Sequence, residues 1–339
     1  MFDDNDWKNL IPQNGTVLKI KPLKEVSQEY NIKIKNVDVK LNLTFAYNVR
    51  HTDSKNNKLG EVNTNLSFRF TETQSPDILV ECYRLVHKIL SILTMQSNIK
   101  IDSISTYQKD ERNTFKKISD VSIFECTPEN YVNKSSSCVI PFRVFDNCFD
   151  KFINVIMNEE FSTNFLPSNN NDVNMVDYDL VKNICTALEF EFQANKAYLN
   201  INKNELINEL STLVKKEVQA FKNLHTELSE RFFSYINSNI ATWSLPATEQ
   251  YMCLYNYNKD ILDKLLNTPN LVDMKVIVNE DNINKFVKLR NLIVHGNRPP
   301  ITQENANFSY AMKLLIYISM LKRMGLNDDI IYNIMDRVL

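Results

Sequence analysis

The apolar residues of this chain change their repeat partway along, and that change limits the fold more than any single motif. From Gly15 to Phe70 apolar and polar residues alternate, as in Thr16–Ile20, Ile32–Lys35, Val37–Phe45 and Val62–Phe70. Alternation rich in β-branched residues predicts antiparallel strands. The polar stretch His51 to Gly60 then reads as a long hairpin loop with His51 exposed in it. Ser75-Pro76-Asp77 starts a helix whose apolar face (Ile78, Cys82, Leu85, Ile89, Leu93) runs to about Met95 and is expected to pack across the sheet. His87 lies among those residues with no carboxylate or cysteine at a helpful spacing, so it reads as structural or surface. Strand-like alternation returns at Ile99–Ser105 and Ile118–Phe124. Residues 1–127 are therefore expected to form one α+β domain.

Glu129 to Cys138 is polar and turn-rich, and Val139 to Phe142 reads as an extended connector, which places a linker at 128–145. Beyond it the spacing is helical throughout. Helices are expected over Asn147–Glu160, from the cap Asp177 to about Leu199, over Lys203–Asn239 as one long pattern, and over Thr248–Leu266, Asn279–His295, Gln303–Met324 and Asp328–Val338. Ser168 to Asp172 is a loop. The prediction for 146–339 is an all-α helical bundle of about seven elements.

Composition excludes several chemistries. Only four glycines occur in 339 residues, so P-loops, dinucleotide fingerprints and serine elbows are absent. Six cysteines form no C-x-x-C pair and no zinc-finger spacing with histidine, so reduced thiols, no metal and no cofactor are expected. A net charge of −2 argues against coating nucleic acid by bulk charge. No signal pattern opens the chain and no apolar run is long enough to span a bilayer, which predicts a cytoplasmic protein with no membrane partner.

The densest chemistry lies between Lys285 and Pro300. Phe286, Leu289 and Ile293 recur at helical spacing, Gly296 suits a C-terminal cap, and Pro299-Pro300 forbids continuation. At roughly 100° per residue Lys288, Asn291 and His295 share one stripe, while Arg290 lies roughly 140° from His295. One helix cannot easily aim both at one atom. Two copies meeting across a two-fold axis can, because each polar flank then faces its mate in one cleft. Such a homodimer gathers the groups that cut RNA without a metal: a base for the ribose 2′-hydroxyl, an acid for the leaving 5′-oxygen, and fixed positive charge on the phosphate. Histidine changes charge near neutral pH, and arginine pairs two phosphate oxygens with its planar fork. From Asn282 to Gln303 the chain carries Lys285, Lys288, Arg290 and Arg298 and no acid, a local basic patch whose bland alternative is a solvated helix end.

Arg290-Asn291, three apolar residues and His295, followed by Gly296-Asn297, resembles the R-x4-6-H signature of the HEPN superfamily. Together with the run Ala187 to Phe192 and the order of a β-rich N-terminal part before a helical domain, it looks like the ApeA-type antiphage proteins. The resemblance implies an all-helical HEPN domain dimerising through the motif helix, with Arg290 and His295 catalytic and Asn291 a supporting polar residue. It implies a metal-independent endoribonuclease leaving 2′,3′-cyclic phosphate ends, acting on tRNA or other cellular RNA in abortive infection. The N-terminal domain is then a regulator sensing a phage protein or another trigger.

Other assignments compete. One of Glu189 and Glu191 faces the cleft and orients His295 or Arg290, or both are ordinary solvent-facing carboxylates. His225 and Cys253 lack any signature of a nucleophilic pair. Tyr251, Tyr255 and Tyr257, near Trp243, stack on unpaired bases or, more commonly, fill a core or interface. The alternative function is a non-catalytic HEPN module that binds RNA or a nucleotide, or only dimerises, while the N-terminal domain recognises another protein. A third reading leaves the motif as a purely structural helix end.

Overall fold

The computed structural model describes residues 26–48, 61–101, 103–112, 114–123, 139–158, 161–169, 172–173, 175–195, 202–225, 227–241 and 245–338. A small sheet region comes first and a mostly helical part follows. The chain divides into two compact units, Met1–Arg84 and Leu85–Leu339. The expected strand Thr16–Ile20, the loop His51–Gly60 and Trp243 lie outside the described residues.

In the first unit β1 (Val26–Ile34), β2 (Val37–Asn48) and β3 (Glu61–Phe70) form an antiparallel meander in the order β1-β2-β3. Lys35 and Asn36 both have positive φ, 47° and 68°, in the two-residue turn between β1 and β2. A turn with two such residues matches the twist of the flanking strands and sets the register Ile34↔Val37. Ile32, Ile34, Val39, Leu41 and Leu43 are buried. Lys35 Nζ lies 3.0 Å from Glu81 Oε1, tying the turn to the first half of α1 (Ile78–Thr94).

The second unit holds the rest of α1 and a hairpin of β4 (Ser103–Lys109) and β5 (Phe115–Ser122). These strands sit closer to their turn than the alternation predicts. The cause is Asp110, whose carboxylate accepts N–H bonds from Arg112 and Thr114 at 2.9 Å each and closes the hairpin tightly. Ile99 is instead buried beyond the end of α1. Leu93 O accepts from Ile140 N at 2.7 Å, and Ser97 N donates to Pro167 O at 3.0 Å.

The helices that follow are α2 (Phe149–Met157), α3 (Tyr178–Ala194), α4 (Asn202–Leu224), α5 (Glu230–Ala241), α6 (Ala247–Leu266), α7 (Glu280–Val294), α8 (Gln303–Arg323) and α9 (Asp328–Val338). α8 is apolar almost all round, and it packs against α2, α3, α6, α7 and α9. A helix buried on every side is the axis of a bundle rather than a surface element. Its start is fixed by a capping box between Thr302 and Asn305. Its end is fixed by Gly325, at φ +96°, where an added Cβ meets Cys148 Cβ at 2.8 Å.

Two helical expectations are corrected. The long pattern over Lys203–Asn239 is two helices, α4 and α5, because Ser229 Oγ accepts from Phe232 N at 3.3 Å and starts a new helix. α3 stops at Ala194 rather than near Leu199. Asn195 turns its side-chain amide onto Glu191 O at 2.8 Å, Glu191 Oε2 at 3.1 Å and Ser319 Oγ at 3.1 Å, an anchor that competes with further winding.

Candidate functional site

α7 carries the motif, and its ends are set by local chemistry. Asn279 accepts from Asn282 N at 2.9 Å as the N-cap, and Glu280 and Asp281 complement the positive end of the helix dipole. Ile283, Phe286, Leu289 and Ile293 form the buried face. At the other end Gly296 N donates to Ile293 O and Asn297 N to Leu292 O, both at 3.0 Å, with Gly296 at φ +82°. Those two bonds define a Schellman motif and place His295 at the C-cap. Among the described residues, its two chain neighbours apart, nothing lies within 4 Å of where a Gly296 Cβ would stand, so the requirement there is conformational.

The sequence-predicted residues occupy one exposed end of α7. Asn291 and His295 are exposed and Arg290 is half-buried. Arg290 Nη1 donates to Asn291 Oδ1 at 3.2 Å, and Nη2 donates to Glu189 Oε1 on α3 at 3.4 Å. The imidazole of His295 makes no hydrogen bond or ion pair among the described residues. Lys285, Lys288 and Arg298 are exposed nearby in sequence. Leu292 and Val294 on α7 and Phe190 on α3 are large apolar side chains exposed to solvent.

Behind the arginine lies a layer that sequence reasoning did not assemble. Tyr251 on α6 is buried, and its hydroxyl donates to Cys185 O at 3.1 Å and to Glu189 Oε1 at 3.4 Å. Burial pushes the Tyr251 phenol far above its ordinary range, so it stays a donor. Burial likewise pushes the Cys185 thiol up to about 12, which keeps it protonated and inert. At the far end of α3, Tyr178 OH donates to Pro299 O at 2.9 Å, holding the segment after the motif.

The two candidate carboxylates separate. Glu189 meets the motif arginine. Glu191, two residues on, is fully buried and takes a bidentate contact from Arg323, with Nη2 to Oε1 at 2.6 Å and Nε to Oε2 at 3.0 Å. The solvent-facing reading is therefore overturned for Glu191, which holds α3 to α8. A carboxylate spaced for the buried face of α3 was the available signal.

Other candidates resolve into packing. Tyr251 and Tyr255 are buried, Tyr255 OH reaching Asp263 at 2.9 Å, and the partly exposed Tyr257 carries the Lys322 ammonium 4.8 Å from its ring centroid. His225 contacts Glu227 Oε1 at 3.0 Å and stacks on Phe221 at 4.2 Å. His87 is half-buried, and burial lowers its pKa. Among the described residues no three His, Cys, Asp or Glu side chains gather as metal ligands, and no helix is long and apolar enough to cross a membrane.

Against known protein families, curated proteins and solved structures, the chain matches none.

Proposed function

We propose that this chain is a metal-independent endoribonuclease of the HEPN type, cutting tRNA or other cellular RNA in antiphage defence from a cleft between two copies of α7. The observation that carries this reading is the exposed end of α7. There Glu189 holds the Arg290 guanidinium from behind while Asn291 and the imidazole of His295 remain open to solvent.

In this mechanism one His295 takes the proton of a ribose 2′-hydroxyl, and the 2′-oxygen attacks phosphorus. The P–O5′ bond breaks, and the His295 of the second copy, protonated, gives its proton to the leaving 5′-oxygen. The products are a 2′,3′-cyclic phosphate and a 5′-hydroxyl. Arg290 pairs with the non-bridging oxygens as charge accumulates on them, and Asn291 positions substrate or the second copy. Glu189 and Tyr251 act one layer out, restricting the rotamers of Arg290. The N-terminal unit restrains the nuclease and senses the trigger.

Purified protein incubated with total tRNA in EDTA is expected to release fragments with cyclic phosphate ends. Arg290→Ala and His295→Ala each lower cleavage at least about 100-fold. Cleavage that survives either substitution overturns the proposed site.

A second reading is a binding module, favoured by one observation: within a single chain Arg290 is already paired with Glu189 and Asn291. It predicts that wild-type protein retains tRNA without cleaving it, even with phage lysate added.

A further inference from the structure

We propose that α4 and α5 form a self-association hairpin, one half of a two-fold four-helix bundle that a second copy of this chain completes. Two apolar stripes run along α4. The first, Ile207, Ser211, Val214 and Val218, is buried or half-buried and turns toward α5, where Phe233 and Ile240 are buried. Ser211 Oγ donates to Ile240 O at 3.4 Å, and Lys222 Nζ donates to Glu230 Oε2 at 2.5 Å, so the two helices run antiparallel.

The second stripe faces solvent. Leu206, Leu210, Leu213 and Leu224 are 64%, 52%, 56% and 80% exposed. Their spacing of four, then three, continues through Glu217 and Ala220 to Leu224, which is a heptad seam. α5 repeats the arrangement: Phe232 and Tyr235 are exposed, with Leu228 just before the helix. At about 100° per residue each solvent stripe lies roughly 105–125° round its helix from the paired stripe, in the same sense on both. Because the helices are antiparallel, equal senses bring both stripes to one side of the hairpin. An apolar face carried by two helices, interrupted on α4 by Glu217, is unlike scattered single exposed leucines, and it fits the inside of a helical bundle.

The charges beside the seam select the occupant. Glu209 and Lys216 flank Leu210 and Leu213, and neither makes an ion pair among the described residues. An antiparallel pairing of two α4 helices, with its two-fold between Leu210 and Leu213, sets each Leu210 against Leu213 of the other copy. The same pairing sets each Glu209 against Lys216 of the other copy, twice over. A partner of different sequence requires no such complementarity within α4 itself.

The test is the mass of the full chain by light scattering and sedimentation, a readout independent of any nuclease activity. Leu210→Asp with Leu213→Asp is expected to halve the mass of the assembly and leave helical circular dichroism unchanged, since both side chains are more than half exposed. Glu209→Lys and Lys216→Glu alone weaken association about tenfold, and the double variant restores it. A wild-type chain that is monomeric at about 100 μM overturns the proposal, as does an unchanged mass in the leucine variant or a double swap that fails to restore association. Arg290→Ala and His295→Ala leave this interface intact, so failure of the nuclease reading is distinguishable from failure here.

Discussion

Glu189 and Glu191 stand two residues apart on α3, and each meets an arginine from another helix, yet the two pairs differ in every physical respect. Glu191 and Arg323 are buried, bidentate and joined by Asn195 and Ser319. Glu189 and Arg290 are about one-third exposed and share one long contact of 3.4 Å. A buried bidentate pair presents no open edge to a ligand, and its role is to join helices. An exposed pair with one long contact contributes little to stability, and it leaves part of the guanidinium open to solvent. The contrast separates the part of α3 that builds the bundle from the part that serves the surface.

The largest expected effect is at the buried pair. Glu191→Ala or Arg323→Ala strands an uncompensated charge in the core and is expected to cost about 3–5 kcal/mol in denaturant unfolding, whereas Glu191→Leu with Arg323→Met recovers most of that loss. Equal losses in the single and double variants break the contrast.

Cys185 sharpens it along the pH axis. It sits on the buried flank of α3 beneath Tyr251, Arg290 and Glu189, and its pKa is raised from 9.0 to about 12, mainly by burial. The folded chain therefore keeps a proton that the unfolded chain releases. This contribution is whole below about pH 9 and is lost as pH rises towards 12. Unfolding midpoints are expected to fall across that window, and to fall less in Cys185→Ala.

Gly296→Ala comes next, at about 1–2 kcal/mol, because a non-glycine residue must adopt the left-handed conformation of the Schellman motif. Thermal unfolding measures it, and a neutral outcome removes the cap from the account. The smallest stability effect is at the exposed pair: Glu189→Gln changes unfolding by less than about 1 kcal/mol. Its predicted signature is functional, a fall of about tenfold in tRNA cleavage with KM unchanged.

Much of the helical part was legible because local chemistry sets helix ends. Asp177, Asn279 and Thr302 cap the helices that follow them, and Gly296 and Gly325 follow the ends of two. The break at Ser229 was not legible, since no proline or glycine interrupts the pattern and the cap competes with a helical phase that continues through it. The Lys35-Asn36 turn was hidden for a related reason: lysine rarely takes a positive φ, and only the pairing of β1 with β2 demands it. For the site, the motif itself was readable as a string. Its support was not, because Glu189 reaches Arg290 across 101 residues and Glu191 reaches Arg323 across 132. Such pairings exist only once the bundle has assembled.

α3 holds the motif region at two points, Tyr178 on Pro299 and Glu189 on Arg290. Glu189 lies eleven residues along the helix from Tyr178, a rigid span of about 16 Å. The segment beyond Gly296 and the guanidinium are therefore fastened to one strut. A tilt of α3 that lifts one anchor levers the other, so a displacement of either end of this helix reaches the exposed face of α7 without any residue on that face being touched.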